Sequence, residues 1–92
     1  MSKYGWIIDK DEEGRIIPVM GPSGISPDMI RRLMNGEGEK FRMYDGDGEL
    51  YYEGRIIHDE SSTGYEPLDD YGRGNAGCVA IMYLVNGNWE EL

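Results

Sequence analysis

EKFRMY (residues 39–44), DGDGE (45–49) and LYYEGRIIH (50–58) decide the fold. Two runs of strand-forming residues flank a turn built from Asp, Gly and Glu, the pattern of a β-hairpin. Side chains alternate along a strand, so Phe41 and Met43 point one way and Arg42 and Tyr44 the other. Leu50 and Tyr52 alternate with Tyr51 and Glu53 in the return strand. Gly54 is placed to mark a bulge.

Toward the N-terminus, Tyr4, Trp6 and Ile8 share one face of a first strand, residues 4–8. The acidic stretch 9–14 turns the chain into a second strand, residues 15–20. Pro18 cannot donate to a ladder, which predicts an edge strand or a bulge there. Ser26, Pro27 and Asp28 form a helix start: a capping hydroxyl, a proline in the first turn and an acid near the positive end. The spacing predicts a helix over 27–35 that stops at Gly36, with Ile30, Leu33 and Met34 as its apolar stripe.

Toward the C-terminus, residues 59–77 carry no strong periodicity and read as a long connection pinned by Tyr65, Leu68 and Tyr71. Residues 78–85 are almost wholly apolar and read as a central strand covered on both faces. Asn86-Gly87 is a hairpin turn, and residues 88–92 close the chain with Trp89 inward. The expected fold is one α+β domain spanning residues 1–92. It is a twisted, mostly antiparallel sheet with one short helix on one face, in the order ββαββββ.

The chain has 92 residues, of which 39% are hydrophobic and 11% aromatic, enough for one modest core. A domain of this size buries roughly 60–70% of the surface its unfolded chain exposes. Charge is the strongest compositional signal: 18 Asp and Glu against 9 Lys and Arg give a net charge of −9. Such a field repels nucleic acid and anionic membrane and steers the chain toward cationic surfaces. Cys78 is the only cysteine, so nothing asks for an oxidising compartment. The N-terminal MSKYGW has no apolar signal region, and no apolar run approaches ~18 residues, so a cytoplasmic location is expected.

No motif carries catalysis or a cofactor. Asp45, Asp47 and Glu49 begin like a calcium loop, but Leu50 stands where that loop needs Gly and Ile56 where it needs Glu. One histidine, His58, and one cysteine cannot build a zinc cage. Gly21-Pro22-Ser23-Gly24 precedes a helix but lacks the Lys-Ser/Thr ending of a phosphate loop. The expectation is no metal, no cofactor and no catalytic residue.

The acids themselves point to function. They cluster at Asp9, Asp11, Glu12 and Glu13; at Asp45, Asp47, Glu49 and Glu53; and at Asp59, Glu60, Glu66, Asp69 and Asp70. Alternate strand residues lie ~6.5–7 Å apart, on the scale of a phosphate backbone. Tyr44, Tyr51, Tyr52, Tyr65 and Tyr71 are interleaved with the acids. The predicted partner-binding set is Tyr44, Asp45, Asp47, Glu49, Tyr51, Glu53, Asp59, Glu60, Tyr65, Glu66, Asp69, Asp70 and Tyr71. The partner it fits is a basic protein surface.

YGWIIDKD, GPSGI, FRMYDGDGELYYEGRI, EPLDDYGRGNAG and the terminal NGNWEEL together cover most of the chain. In these stretches it resembles a family of small, acidic, largely uncharacterised proteins from bacterial genomes and their mobile elements. In style it is similar to anti-CRISPR and anti-restriction proteins that imitate DNA. The resemblance implies a non-enzymatic inhibitor of a nucleic-acid-binding defence complex, with no nucleic acid bound directly. The rival expectations are an immunity protein or antitoxin capping a basic toxin, and a small enzyme or ligand-binding module.

Overall fold

The computed structural model describes residues 4–58 and 62–92. Its strands are β1 (Gly5–Lys10), β2 (Ile16–Gly21), β3 (Glu39–Tyr44), β4 (Leu50–Ile57), β5 (Ala80–Val85) and β6 (Asn88–Glu91). They form one sheet in the order β2-β1-β4-β3-β5-β6, with every neighbouring pair antiparallel. Three hairpins are thus laid side by side, the first joined to the second by β1 against β4 and the second to the third by β3 against β5. Pro18 lies in β2, an edge strand as its missing N–H requires.

One face of the sheet carries the core. Trp6, Ile8, Phe41, Met43, Ile56, Ile81 and Tyr83 are buried there in one cluster with Leu68 and Cys78. The expected connection 59–77 is, over its described part, the cover of this core. A π-helical turn (Leu68–Gly72) runs into a short helix α2 (Arg73–Ala76). The expectation of a single helix is therefore corrected. Leu68 and Tyr71 stand three apart, as on a helix, but two apolar positions in so short and glycine-rich a piece are too few to establish a period.

The opposite face receives helix α1 (Pro27–Met34). The Ser26 hydroxyl accepts from Met29 N at 3.2 Å, the cap the sequence predicts. Leu33 is fully buried beneath it. Arg55 fixes the helix to the sheet. Its guanidinium donates to both carboxylate oxygens of Asp9 at 2.9 Å and, through Nη1, to the carbonyls of Leu33 (2.8 Å) and Glu37 (3.0 Å). One side chain of β4 thereby ties together β1, the end of α1 and the turn that follows it.

Three further expectations change. The apolar strand is second from the edge, not central, and only one of its faces is fully covered: Ile81 and Tyr83 are buried, while Met82 and Leu84 are half-buried on the other face. Apolarity alone cannot tell a sealed face from a partly open one. Trp89 is likewise half-buried on that second face, beneath Arg42, whose guanidinium carbon lies 4.1 Å from the ring centre. Gly54 is not the bulge. A Cβ there would stand 2.1 Å from the Ile7 carbonyl oxygen and 2.7 Å from Phe41, so glycine is required by close strand approach. The bulge falls at Tyr51, where the register of β3 on β4 slips between Met43–Tyr52 and Tyr44–Leu50.

An acidic end lined by tyrosines

Two of the three hairpin tips are built alike. In the first, the Asp11 carboxylate accepts from the backbone N–H of Glu13 (3.0 Å) and Arg15 (2.9 Å). In the second, the Asp45 carboxylate accepts from Asp47 (2.9 Å) and Glu49 (2.9 Å). Each tip then closes through a glycine with positive φ three residues on, Gly14 at 77° and Gly48 at 79°. The shared local code is Asp-x-x-Gly-x. Asp45, expected to meet a partner, is therefore occupied in holding its own turn.

Register brings the two tips to one end of the sheet. Lys10 pairs with Glu53 and Tyr44 with Leu50, so the end of β1 and the start of β4 coincide. Asp11, Glu12, Glu13, Asp45, Asp47 and Glu49 are gathered there, with Arg15 the cation of the first tip. Arg15 is already engaged by Asp11 at 2.8 Å and Glu13 at 3.4 Å.

The bulge at Tyr51 turns two successive tyrosines to the same side. Tyr51 and Tyr52 both pack against the core cluster and line a cleft of about 310 Å³ with Asp11, Glu12 and Ala76. The Tyr51 phenol is pushed above its ordinary range, by the negative charge of Glu12 first and then of Asp45. Tyr52 is pushed up to about 12, chiefly by burial and then by Tyr71 beside it. Its ring packs edge-on to Tyr71 at 5.1 Å, and Tyr71 packs in turn on Trp6 at 5.5 Å.

The remaining predicted residues divide. Asp70 accepts hydrogen bonds from the Tyr4 hydroxyl (2.7 Å) and Trp6 Nε1 (3.0 Å), clamping the cover onto β1. Glu66 accepts from the backbone N–H of Thr63 (2.7 Å) and Gly64 (2.9 Å), and these bonds hold its carboxyl below the usual range although burial works against them. Asp69 pairs with Arg73 at 3.0 Å. Glu53 pairs with Arg42 at 2.8 Å on the opposite face of the sheet. Tyr44 is half-buried at the end of β3, and Tyr65 is exposed on the cover. Asp59 and Glu60 lie outside the described residues.

The acids therefore make no single track along one strand. Asp47, Glu49 and Tyr51 share the acidic end. Asp69, Asp70 and Tyr71 sit on the cover, and Glu53 is turned away from both. Glu12 and Glu13, absent from the predicted set, complete the end. Their signal was the repeated Asp-x-x-Gly-x tip, which shows the two loops to be equivalent.

Groups with catalytic potential are placed otherwise. His58 Nε2 lies 2.7 Å from Glu39 Oε2, at the far end of β3 and β4. Cys78 is buried, and burial pushes its thiol up to about 11. Among the described residues no three His, Cys, Asp or Glu side chains converge as a metal site would need, and no helix is long and apolar enough to cross a membrane. Compared with known protein families, curated proteins and solved structures, the chain finds no match.

Proposed function

We propose that the protein is a non-enzymatic inhibitor that inserts its acidic end into the basic, nucleic-acid-binding groove of a partner, the type of surface found in bacterial defence complexes. The observation that supports this is the convergence of two acidic hairpin tips on one end of the sheet beside Tyr51 and Tyr52. CRISPR effectors hold nucleic acid in positively charged channels, and a compact polyanion competes for such a channel. The carboxylates steer encounter, and the tyrosines supply the rigid, amphipathic contacts that slow dissociation. Placing the acids on turns stiffened by Asp11 and Asp45 keeps their ordering cost on binding low.

The test is a capture experiment from a bacterial lysate with the tagged full chain, using double-stranded DNA as competitor. Glu12→Lys/Glu13→Lys/Asp47→Lys/Glu49→Lys spares both turn-holding aspartates. A captured nucleic-acid-binding protein that DNA releases, and that this folded variant fails to hold, is the expected result. A partner held equally by the variant, or one that DNA does not displace, refutes the reading.

A further inference from the structure

The sheet face opposite the core carries a groove of about 430 Å³ lined by strand residues. It runs against the charge of the molecule. Four of the chain's nine Lys and Arg residues line it (Lys10, Lys40, Arg42 and Arg55), but only two of its eighteen Asp and Glu, Asp9 and Glu53. The arrangement follows from register. Lys40 and Arg42 alternate with the core residues Phe41 and Met43, Lys40 pairs with Arg55, and Arg42 pairs with Glu53. A second irregularity, between Ile8 and Lys10, puts Asp9 and Lys10 together on this face.

The cations differ in availability. Arg55 is spent on Asp9 and on two backbone carbonyls. Arg42 is held by Nε on Glu53 at 2.8 Å and by its plane over Trp89. Its two Nη groups make no hydrogen bond among the described residues, so a guanidinium fork is fixed in place with its outer donors open. Lys10 and Lys40 form no ion pair among the described residues. Leu84 and Trp89 supply an apolar wall next to these donors. The volume falls within the ~300–1,000 Å³ of small-molecule sites, and such sites combine an apolar lining with a few placed polar groups. At physiological salt, charges further than ~8 Å away are largely screened, so a ligand seated here responds to the local cations more than to the acidic end.

We infer that this groove binds a small phosphate monoester, with the phosphate held by Arg42, Lys40 and Lys10 and the organic body lying on Leu84 and Trp89. A pre-oriented arginine fork matches a phosphate's oxygens, and flanking lysines add charge without demanding geometry. This site is on the other face from the acidic cleft and does not depend on the function proposed for that cleft.

Titration of the ¹⁵N-labelled full chain, followed by NMR, tests it with three probes: adenosine 5′-monophosphate, inorganic phosphate and adenosine. Saturable shifts with the monophosphate, confined to residues around Lys40, Arg42, Leu84 and the Trp89 indole, are the expected result. Inorganic phosphate should bind at least tenfold more weakly and adenosine more weakly still. Lys10→Glu/Lys40→Glu, both exposed and unpaired, should lose monophosphate binding at least tenfold with unchanged circular dichroism. Lys10→Gln/Lys40→Gln should show a smaller loss. No saturation up to 10 mM monophosphate (about the weakest affinity, ~3 kcal/mol, worth calling a site) overturns the inference, as do shifts located elsewhere or indifference to both variants. Equal binding of phosphate and monophosphate overturns the role given to Leu84 and Trp89.

Discussion

Replacing Asp70 distinguishes a carboxylate that serves the fold from one that serves a partner. It was expected at the interface, yet its Oδ2 is the shared acceptor for the Tyr4 hydroxyl and the Trp6 indole N–H. Trp6 is only 4% exposed, so in Asp70→Ala its N–H loses its partner in a place poorly reached by water. A stranded buried donor costs ~1–3 kcal/mol, and the more exposed tyrosine bond adds ~0.5–1 kcal/mol. The sum is ~1.5–4 kcal/mol. A 92-residue domain has ~5–14 kcal/mol in all, so the loss is a large fraction of the whole. At ~4–8 °C per kcal/mol, the midpoint of thermal unfolding should fall by ~6–32 °C. Asp70→Asn keeps an oxygen for the indole and should lie between wild type and Asp70→Ala. Thermal and urea unfolding followed by circular dichroism and tryptophan fluorescence measure this. An Asp70→Ala protein within ~0.5 kcal/mol of wild type would refute the clamp and return Asp70 to the candidate interface.

Gly54→Ala should destabilise by ~3 kcal/mol or more, because the added methyl meets the Ile7 carbonyl oxygen and forces β1 from β4; Gly46→Ala, with nothing within 4 Å, is the control, and equal unfolding midpoints would contradict the packing. Stability should fall as pH rises through the window from 10 to about 12. Unfolded tyrosines ionise near ~10, whereas burial, aided by Asp70 at Tyr4 and by Tyr71 at Tyr52, pushes Tyr4 and Tyr52 up to about 12 in the fold. The fold therefore favours the neutral phenols, a stabilisation that is complete below pH 10 and lost above it; phenolate absorbance rising at pH 10 for all seven tyrosines without unfolding would count against this. The Cys78 thiol should resist a disulfide reagent at pH 8 until the protein is denatured, since it is buried and its thiol is pushed up to about 11. Fast stoichiometric labelling of the native protein would show that the cover opens.

What the sequence made legible was local. The β3–β4 hairpin, the Ser26 cap and the edge position of β2 follow from patterns a few residues long, and each is found in the fold. The placement of the site depended on pairings between strands far apart in the chain. Nothing in residues 5–10 announces that they will lie beside residues 50–57, yet that pairing brings Glu12 close to Tyr51. Strict alternation also fails at a bulge, so the pattern that puts Tyr51 and Tyr52 on opposite faces does not hold there. The excess of acids concealed the cationic face, although Lys40 and Arg42 alternate with core residues and so had to share one side. Asp45 and Glu66 accept from backbone N–H groups and Asp70 from the Trp6 indole, bonds that composition cannot announce.

An open sheet ends in two rows of unpaired backbone groups, each a template on which another chain could add a strand. Here the two rows are β2 and β6. β2 carries exposed Ile16 and Val19, the side chains that invite such growth, but Pro18 stands between them and deletes a donor from the row. β6 is four residues long and ends in Glu90 and Glu91, both exposed, so an incoming copy would bring like charges into register. Polymerisation through the backbone is thus blocked by missing chemistry on one side and by repulsion on the other. These guarded margins leave the sheet free to stay at six strands, because neither row offers a complete template on which a further chain could extend it.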